Sequence, residues 1–346
     1  MSETSITKAV EEYKKIRPKY EALSEKIESI IKDILNSNNI NYYSINNRTK
    51  LIEKYKEKAT REKYKDPMSE IMDMSGIRII TYTNSDAKIV YNLVNTLFDI
   101  LPEHSIDKSK ELGIDKVGYQ SIHCVGILGK DRINLPEYKI FKNMCFEIQI
   151  RTILQHAWAE FEHDRNYKFA GVLPDELRRR LLILSGSLEL IDKEFDRIAL
   201  DIDEYIQAVE YRWKIGDLNI PINTTSLKEY MNLKFSKLVE IGIDPSITSV
   251  QIIEDLYEMN INTLEKLDNI IPDDYIEKKS KLLSDIDALG NIIYDILIIN
   301  YYKEYLLPNN KPGLMFSQND IELYKKYDID LRKGIKNLKQ YIIDEI

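Results

Sequence analysis

From Ile6 onward apolar side chains recur at steps of three and four, at Ile6, Val10, Tyr13, Tyr20, Leu23, Ile27, Ile30 and Ile34. That spacing marks one face of a helix. Arg17 stands where the series skips, Pro18 predicts a kink or a division there, and the polar run Asn36 to Asn39 predicts the end. A second helix is predicted over Arg48 to Lys65, rich in Lys, Glu and Tyr and closed by Asp66-Pro67. The period then shortens. Gly76 to Thr83 is short and β-branched, as a strand is, and the cap-forming Ser85 opens a helix to about Phe98. Ser121 to Leu128 and Met144 to Thr152 read as two further strands, with the turn formers Gly129, Asp131, Asn134 and Pro136 between them. A helix from near Thr152 runs through Trp158 and His163.

Beyond Pro174 the pattern changes. Leu177, Leu181, Leu184, Leu188, Ile191, Phe195, Ile198, Ile202, Tyr205 and Val209 alternate steps of four and three, a heptad series that predicts one long helix. Gly186 inside it costs only about 1 kcal/mol against alanine. From about Gly216 onward the chain reads as helical, with turns at Asp244-Pro245, Pro272 and Pro308-Asn309-Asn310 and without repeats. The expected fold is therefore α+β. N-terminal helices occupy 1–40, a domain with one β-sheet 41–175, a long heptad helix 176–215 and an all-α region 216–346.

Composition narrows the classes. A chain of 346 residues, 43% hydrophobic and 31% charged, holds one large domain or two ordinary ones and is not a disordered chain. Its longest apolar stretch, Ile292 to Ile299, is interrupted by Asp295 and is far short of the roughly 20 residues that cross a bilayer. The start MSETSITKAVEEYKK lacks the basic-then-apolar order of a secretion signal, so a cytoplasmic location away from membranes is expected. Cys124 and Cys145 lie inside strand-like runs with no second cysteine at metal or redox spacing, and read as buried free thiols. With 49 basic against 57 acidic residues the net charge is -8, which disfavours coating nucleic acid by charge. A small basic cleft for phosphates stays compatible with that average.

Four stretches carry candidate chemistry. In Phe146-Glu-Ile-Gln-Ile-Arg-Thr152, strand geometry sends Phe146, Ile148 and Ile150 to one face and lines up Glu147, Gln149 and Arg151 on the other, about 7 Å apart. Asp73-Met-Ser-Gly-Ile-Arg78 presents a carboxylate and an arginine around a glycine. Two carboxylates from separate strands, Asp73 and Glu147, suit a Mg²⁺ ion on phosphates, because Mg²⁺ takes hard oxygen ligands and few protein ones. On the predicted helix Lys50, Lys54 and Lys58 share a face and form a row of cations near Arg48. Gly118-Tyr-Gln-Ser-Ile-His123 offers Tyr119 as a stacking platform for a nucleobase, worth about 1–3 kcal/mol. Each stretch alone reads more simply as a solvated strand face, a solvated basic face or a turn tyrosine in a chain with 23 tyrosines.

Together they resemble the synthetase domain of the RelA/SpoT family of nucleotide pyrophosphokinases. The basic pattern R-x-K with a later K appears as Arg48, Lys50 and Lys58, D-x-x-G-I-R as Asp73 to Arg78, G-Y-x-S-x-H as Gly118 to His123, and E-x-Q-x-R-T as Glu147 to Thr152. Gln155-His-Ala-Trp-Ala-Glu160 and Glu162 to Lys168 follow in the same style, so the resemblance covers about residues 40–200. It implies a nucleotidyltransferase-like mixed sheet and transfer of the β,γ-pyrophosphate of ATP to the ribose 3′-hydroxyl of GDP or GTP, giving (p)ppGpp. It further implies that Arg48 and Arg78 sandwich adenine, Lys50 and Lys58 hold the ATP phosphates, and Asp73 and Glu147 hold Mg²⁺. Glu147 is then also the general base, Tyr119 stacks on the acceptor base, and His123, Gln149 and Arg151 meet the acceptor.

The chain departs from the family at two points. Lys54 stands where the first motif usually has a serine, and Gly113-Ile-Asp-Lys-Val-Gly118 lacks the usual Pro-Lys, leaving Lys116 to take that lysine's place. The resemblance leaves other acceptors open, namely the 3′-end of tRNA and adenosine nucleotides, and also a catalytically silent nucleotide-binding scaffold. For tRNA, Arg178, Arg179 and Arg180 are the one dense basic run. His163-Asp164 is not read as a hydrolase signature, since histidines at 104, 123, 156 and 163 are too few for that metal site. The heptad helix is a candidate interface for a homo-oligomer.

Overall fold

Tyr13, Leu23, Ile27, Ile31 and Leu35 are fully buried along one stripe of α1 (Glu3–Ser37). The structure, a computed structural model, describes residues 3–107, 121–168, 173–246, 251–283, 287–306 and 316–331. α1 passes through Pro18 as a single helix, against the expected division. The proline costs about 3 kcal/mol in a helix interior. Burying several large side chains on both sides of it, at about 1.5–3 kcal/mol each, outweighs that cost.

The second departure lies at Ser44–Thr49, which forms strand β1 where a helix was expected from Arg48. Helix α2 begins later and is short, Ile52–Ala59. Arg48 therefore sits on a strand and Lys50 in the link after it, so Lys50, Lys54 and Lys58 do not form one helical row. β1 is an edge strand that buries Ile45 and otherwise presents polar side chains, so it lacks the apolar alternation by which strands are recognised.

The remaining described strands are β2 (Ser75–Thr81), β3 (Asp99–Ile100), β4 (Ile106–Asp107), β5 (Ile122–Ile127) and β6 (Phe146–Thr152). They form one mixed sheet in the order β1-β2-β6-β5-β3, with β4 also on β5. β2 and β6 run parallel, and the other pairs are antiparallel. Register assigns the two faces. Ile77 pairs with Ile148 and Ile79 with Ile150, while Cys124 lies opposite Ile148, so one face is apolar and enters the core with α1 and with α3 (Asn84–Leu97). Opposite it, Gly76 pairs with Glu147 and Arg78 with Gln149, while His123 also lies beside Gln149. α3 is capped by Thr83 rather than Ser85. The Thr83 hydroxyl accepts from Asp86 N at 3.1 Å and the Asp86 carboxylate accepts from Thr83 N at 3.1 Å.

β6 leads directly into α4 (Ile153–Lys168), and α5 (Asp175–Lys214) is one helix of 40 residues. Along α5 the heptad residues Leu184, Ile191, Phe195, Ile198 and Ile202 are exposed, whereas Ser185 and Asp192 are buried. Two compact units are resolved by contacts, Met1–Leu200 and Asp201–Ile346, with the boundary inside α5. The second unit is helical, and its core includes Tyr230, Phe235, Tyr275, Ile292 and Ile296. At its centre the buried Lys279 ammonium lies 3.0 Å from Asp287, 3.2 Å from Asp320 and 3.3 Å from Asp295. Among the described residues no helix is long and apolar enough to cross a membrane.

Candidate active site

The polar face of the sheet is built by four strands. Arg48 on β1, Gly76 and Arg78 on β2, Glu147 and Gln149 on β6 and His123 on β5 follow from the register. Arg48 lies over Gly76. A Cβ at that position would meet Arg48 Cγ at 3.5 Å and Nε at 3.6 Å in ordinary contact, so the arginine crosses the sheet directly above this residue. Arg48, Arg78, Asn46, Glu147, Gln149 and Glu160 line a cleft of about 370 Å³. Arg78 Nη1 is held 2.8 Å from Glu160 Oε1, a partner that α4 delivers from 82 residues away.

Asp73, just before β2, gathers two lysines. Lys50 Nζ and Lys58 Nζ each lie 2.8 Å from Asp73 Oδ2. The Lys50 link is held by its backbone: its carbonyl accepts from the Tyr13 hydroxyl at 2.7 Å and from Arg17 Nε at 3.3 Å, and its N–H donates to Met74 O at 3.0 Å. Arg17, the polar break in the α1 stripe, is thus placed by function of the turn it supports. Tyr13 also stacks on Tyr55 of α2, with ring centroids 4.3 Å apart, which sets α2 and Lys58 against α1. Burial pushes the Asp73 carboxyl up, but Lys50 and Lys58 outweigh it and hold it below the ordinary Asp range. Its second oxygen, Oδ1, is buried without a hydrogen-bond partner among the described residues. A buried, ionised and unsatisfied hard oxygen is a fit for a divalent cation. Lys54 does not join the group and instead pairs at the surface with Glu57 at 2.9 Å.

Glu147 is held from both sides. His123 Nδ1 lies 2.8 Å from Glu147 Oε1, and Gln149 Nε2 donates to Glu147 Oε2 at 2.9 Å. An ionised carboxylate only accepts, so the imidazole carries its proton on Nδ1 toward Glu147. The other imidazole nitrogen, Nε2, is 2.9 Å from Ser121 Oγ. Burial raises the Glu147 pKa, but the His123 and Gln149 bonds and the His123 charge exceed it, so the carboxyl lies below the ordinary Glu range. A smaller upward effect comes from the Asp73 charge, which puts the two carboxylates in one electrostatic field. The ladder continues as Arg151 Nη2 donates to Gln149 Oε1 at 2.8 Å, with Arg151 itself buried.

Asp73, Glu147, Lys50, Lys58, His123, Gln149 and Arg151 are therefore linked in two hydrogen-bonded groups beside the Arg48 and Arg78 cleft. Lys116 and Tyr119 lie outside the described residues, as does the His163 side chain. Glu160, Arg17 and Tyr13 were missed as site residues. The first belongs to a family-like run that nevertheless assigned it no partner, and the other two act through a helix far away in sequence.

Comparison with known proteins gives the family. The family described as "Region found in RelA / SpoT proteins" matches residues 47–171. GTP pyrophosphokinase YjbM of Bacillus subtilis (strain 168) is 30% identical over 175 residues, covering 50% of this chain and 78% of that protein. GTP pyrophosphokinase YwaC of the same organism is 29% identical over 163 residues, covering 44% and 70%. Among solved structures, a GTP pyrophosphokinase family protein from Streptococcus pneumoniae is 27% identical with a TM-score of 0.47, covering 56% of this chain and 96% of that one. The chain belongs to the RelA/SpoT family.

Proposed function

We propose that this protein is a GTP pyrophosphokinase that transfers the β,γ-pyrophosphate of ATP to the 3′-hydroxyl of GDP or GTP, releasing AMP and forming (p)ppGpp. One observation carries the reading: Asp73, clasped by Lys50 and Lys58, and Glu147, clasped by His123 and Gln149, sit beside a cleft lined by two arginines in a member of this family. Arg48 and Arg78 hold adenine between their guanidinium planes, and Lys50 and Lys58 turn from Asp73 to the ATP phosphates. Asp73 and Glu147 would hold Mg²⁺, which when bound would supply positive charge against those phosphates.

In the reaction the 3′-oxygen attacks the β-phosphorus, the new O–P bond forms, and the bond from that phosphorus to the oxygen bridging the α-phosphate breaks. AMP leaves with the bridging oxygen and the hydroxyl proton passes to Glu147. A carboxylate below the ordinary Glu range is a weak base, so alignment and charge neutralisation carry most of the rate. His123 holds Glu147 in place, while Gln149, Arg151, Lys116 and Tyr119 meet the acceptor. This chemistry belongs in the cytoplasm, where ATP and GTP are plentiful.

The same reading includes self-association through α5. An antiparallel pair centred on Ile191 buries the exposed heptad residues of both copies and sets Arg178 to Arg180 of each against Asp201, Asp203 and Glu204 of the other. A monomeric mass by light scattering at micromolar concentration would dismiss it. For the reaction, the protein is incubated with γ-labelled ATP, Mg²⁺ and GDP, GTP, AMP or deacylated tRNA. Label in a guanosine 3′-pyrophosphate is expected, and label in tRNA or an adenosine product alone would overturn the acceptor assignment.

A further inference from the structure

Asp192 is an unusual residue to find buried on α5. The residue is 4% exposed, yet it lies on a helix whose apolar heptad residues face outward. Its Oδ2 accepts three side-chain hydrogen bonds, from Thr152 Oγ1 at 3.0 Å, Asn84 Nδ2 at 3.0 Å and Gln155 Nε2 at 3.1 Å. These donors converge from two places: Asn84 starts α3, while Thr152 and Gln155 flank the junction where β6 ends and α4 begins. The junction is closed on itself as well. Thr152 N donates to Gln155 Oε1 at 3.1 Å, Gln155 N donates to Thr152 Oγ1 at 3.2 Å, and Gln155 Nε2 also donates to Asn84 Oδ1 at 2.9 Å. Burial pushes the Asp192 carboxyl up, against the pull of the three donors.

The residue before this junction is Arg151, the end of the Arg151–Gln149–Glu147 ladder. We propose that Asp192 is a positioning residue for pyrophosphate transfer: by tying Thr152 and Gln155 to α5 it holds the end of β6, and through Arg151 and Gln149 it sets the orientation of Glu147. The role rests on the proposed reaction, because the ladder matters to rate only if Glu147 acts in it. Docking of α5 alone does not require a carboxylate at this place. Asp196, one turn further, already docks α5 on α3 by accepting from Ser85 N at 2.7 Å, a bond to α3 and not to β6.

The test compares Asp192→Ala, Asp192→Asn and Asp196→Ala in the full chain, with rates normalised to the folded fraction from a melting curve. Asp192→Ala removes the acceptor and is expected to lower kcat about 10-fold or more while the KM for ATP changes less. Asp192→Asn still offers a carbonyl oxygen to the same donors and is expected to stay within about 3-fold of wild type, as is Asp196→Ala. Asp192→Ala with wild-type kcat, or Asp192→Asn as impaired as the alanine variant, would overturn the proposal. Wild-type protein that transfers pyrophosphate to no acceptor would refute the proposed reaction instead. Hydrogen exchange over 146–155 then decides the positioning claim: faster exchange in Asp192→Ala than in Asp196→Ala supports it, and equal exchange contradicts it.

Discussion

Asp73 and Glu147 are two half-buried carboxylates kept charged by different means, Asp73 by a pair of ammonium groups and Glu147 by an imidazole and an amide. Neutral isosteres remove the charge and keep the shape. Asp73→Asn and Glu147→Gln are each expected to lower transfer at least about 100-fold with unchanged far-UV circular dichroism; near-wild-type activity in either would remove that residue from the reaction. The pH dependence follows from the depressed values of both groups. Their unfolded pKa values are about 4, so the stability they contribute is complete above that pH and is lost as pH falls through the lower folded values. Urea unfolding should show this contribution flat from about pH 5 to 7, and a loss near pH 6 that Glu147→Gln abolishes would contradict the charge assignment. Much of this site was legible residue by residue. The period of two in Phe146 to Thr152 dictates which side chains share a face, and Glu147, Gln149 and Arg151 do share a hydrogen-bonded ladder. The pairing of Arg78 with Glu160 was not legible, because 82 residues of chain separate two groups that only the fold brings together.

At the scale of elements, β2 and β6 announce themselves through β-branched runs and β1 does not. An edge strand with one buried side chain carries no periodic signal, and it was read as the start of a helix. The error moved Arg48 and Lys50 off α2 without moving them from the site, since the backbone of β1 sets Arg48 over Gly76 and the turn after it sets Lys50 on Asp73. Gly76→Val tests that arrangement. The added methyl groups would press on Arg48 from a Cβ already 3.5 Å from its Cγ, and the expected result is about a 10-fold rise in the KM for ATP with the fold retained. An unchanged KM would show that Arg48 is not held across the sheet. The heptad of α5 taught the opposite lesson. Its period correctly announced a long helix, but which face is buried depends on neighbours, and the helix is held on the first unit by polar contacts that include the buried Asp192 and the half-buried Asp196.

For the whole molecule, the α+β fold with a helical second part was readable because strands and helices differ in period; what the second unit is for was not. Its centre is a buried Lys279 among Asp287, Asp295 and Asp320, which an acidic, Tyr- and Ile-rich composition does not reveal. Burial lowers the Lys279 pKa, yet the three carboxylates more than reverse this and raise it. Lys279→Met leaves those carboxylates uncompensated and is expected to cost about 3–5 kcal/mol in urea unfolding. A change below about 1 kcal/mol would mean that the cluster reorganises without the lysine. Net charge -8 averages over this acidic interior and the cations gathered at Arg48, Lys50, Lys58, Arg78 and Arg151. Whether this site serves pyrophosphate transfer is best measured by single-turnover reaction of γ-labelled ATP with GDP, comparing wild type with Glu147→Gln. The expected result is labelled guanosine 3′-pyrophosphate and AMP in equal amounts from the wild type, with the variant at least about 100-fold slower at unchanged far-UV circular dichroism. Label released only as inorganic phosphate, or a Glu147→Gln variant as fast as the wild type, would contradict it.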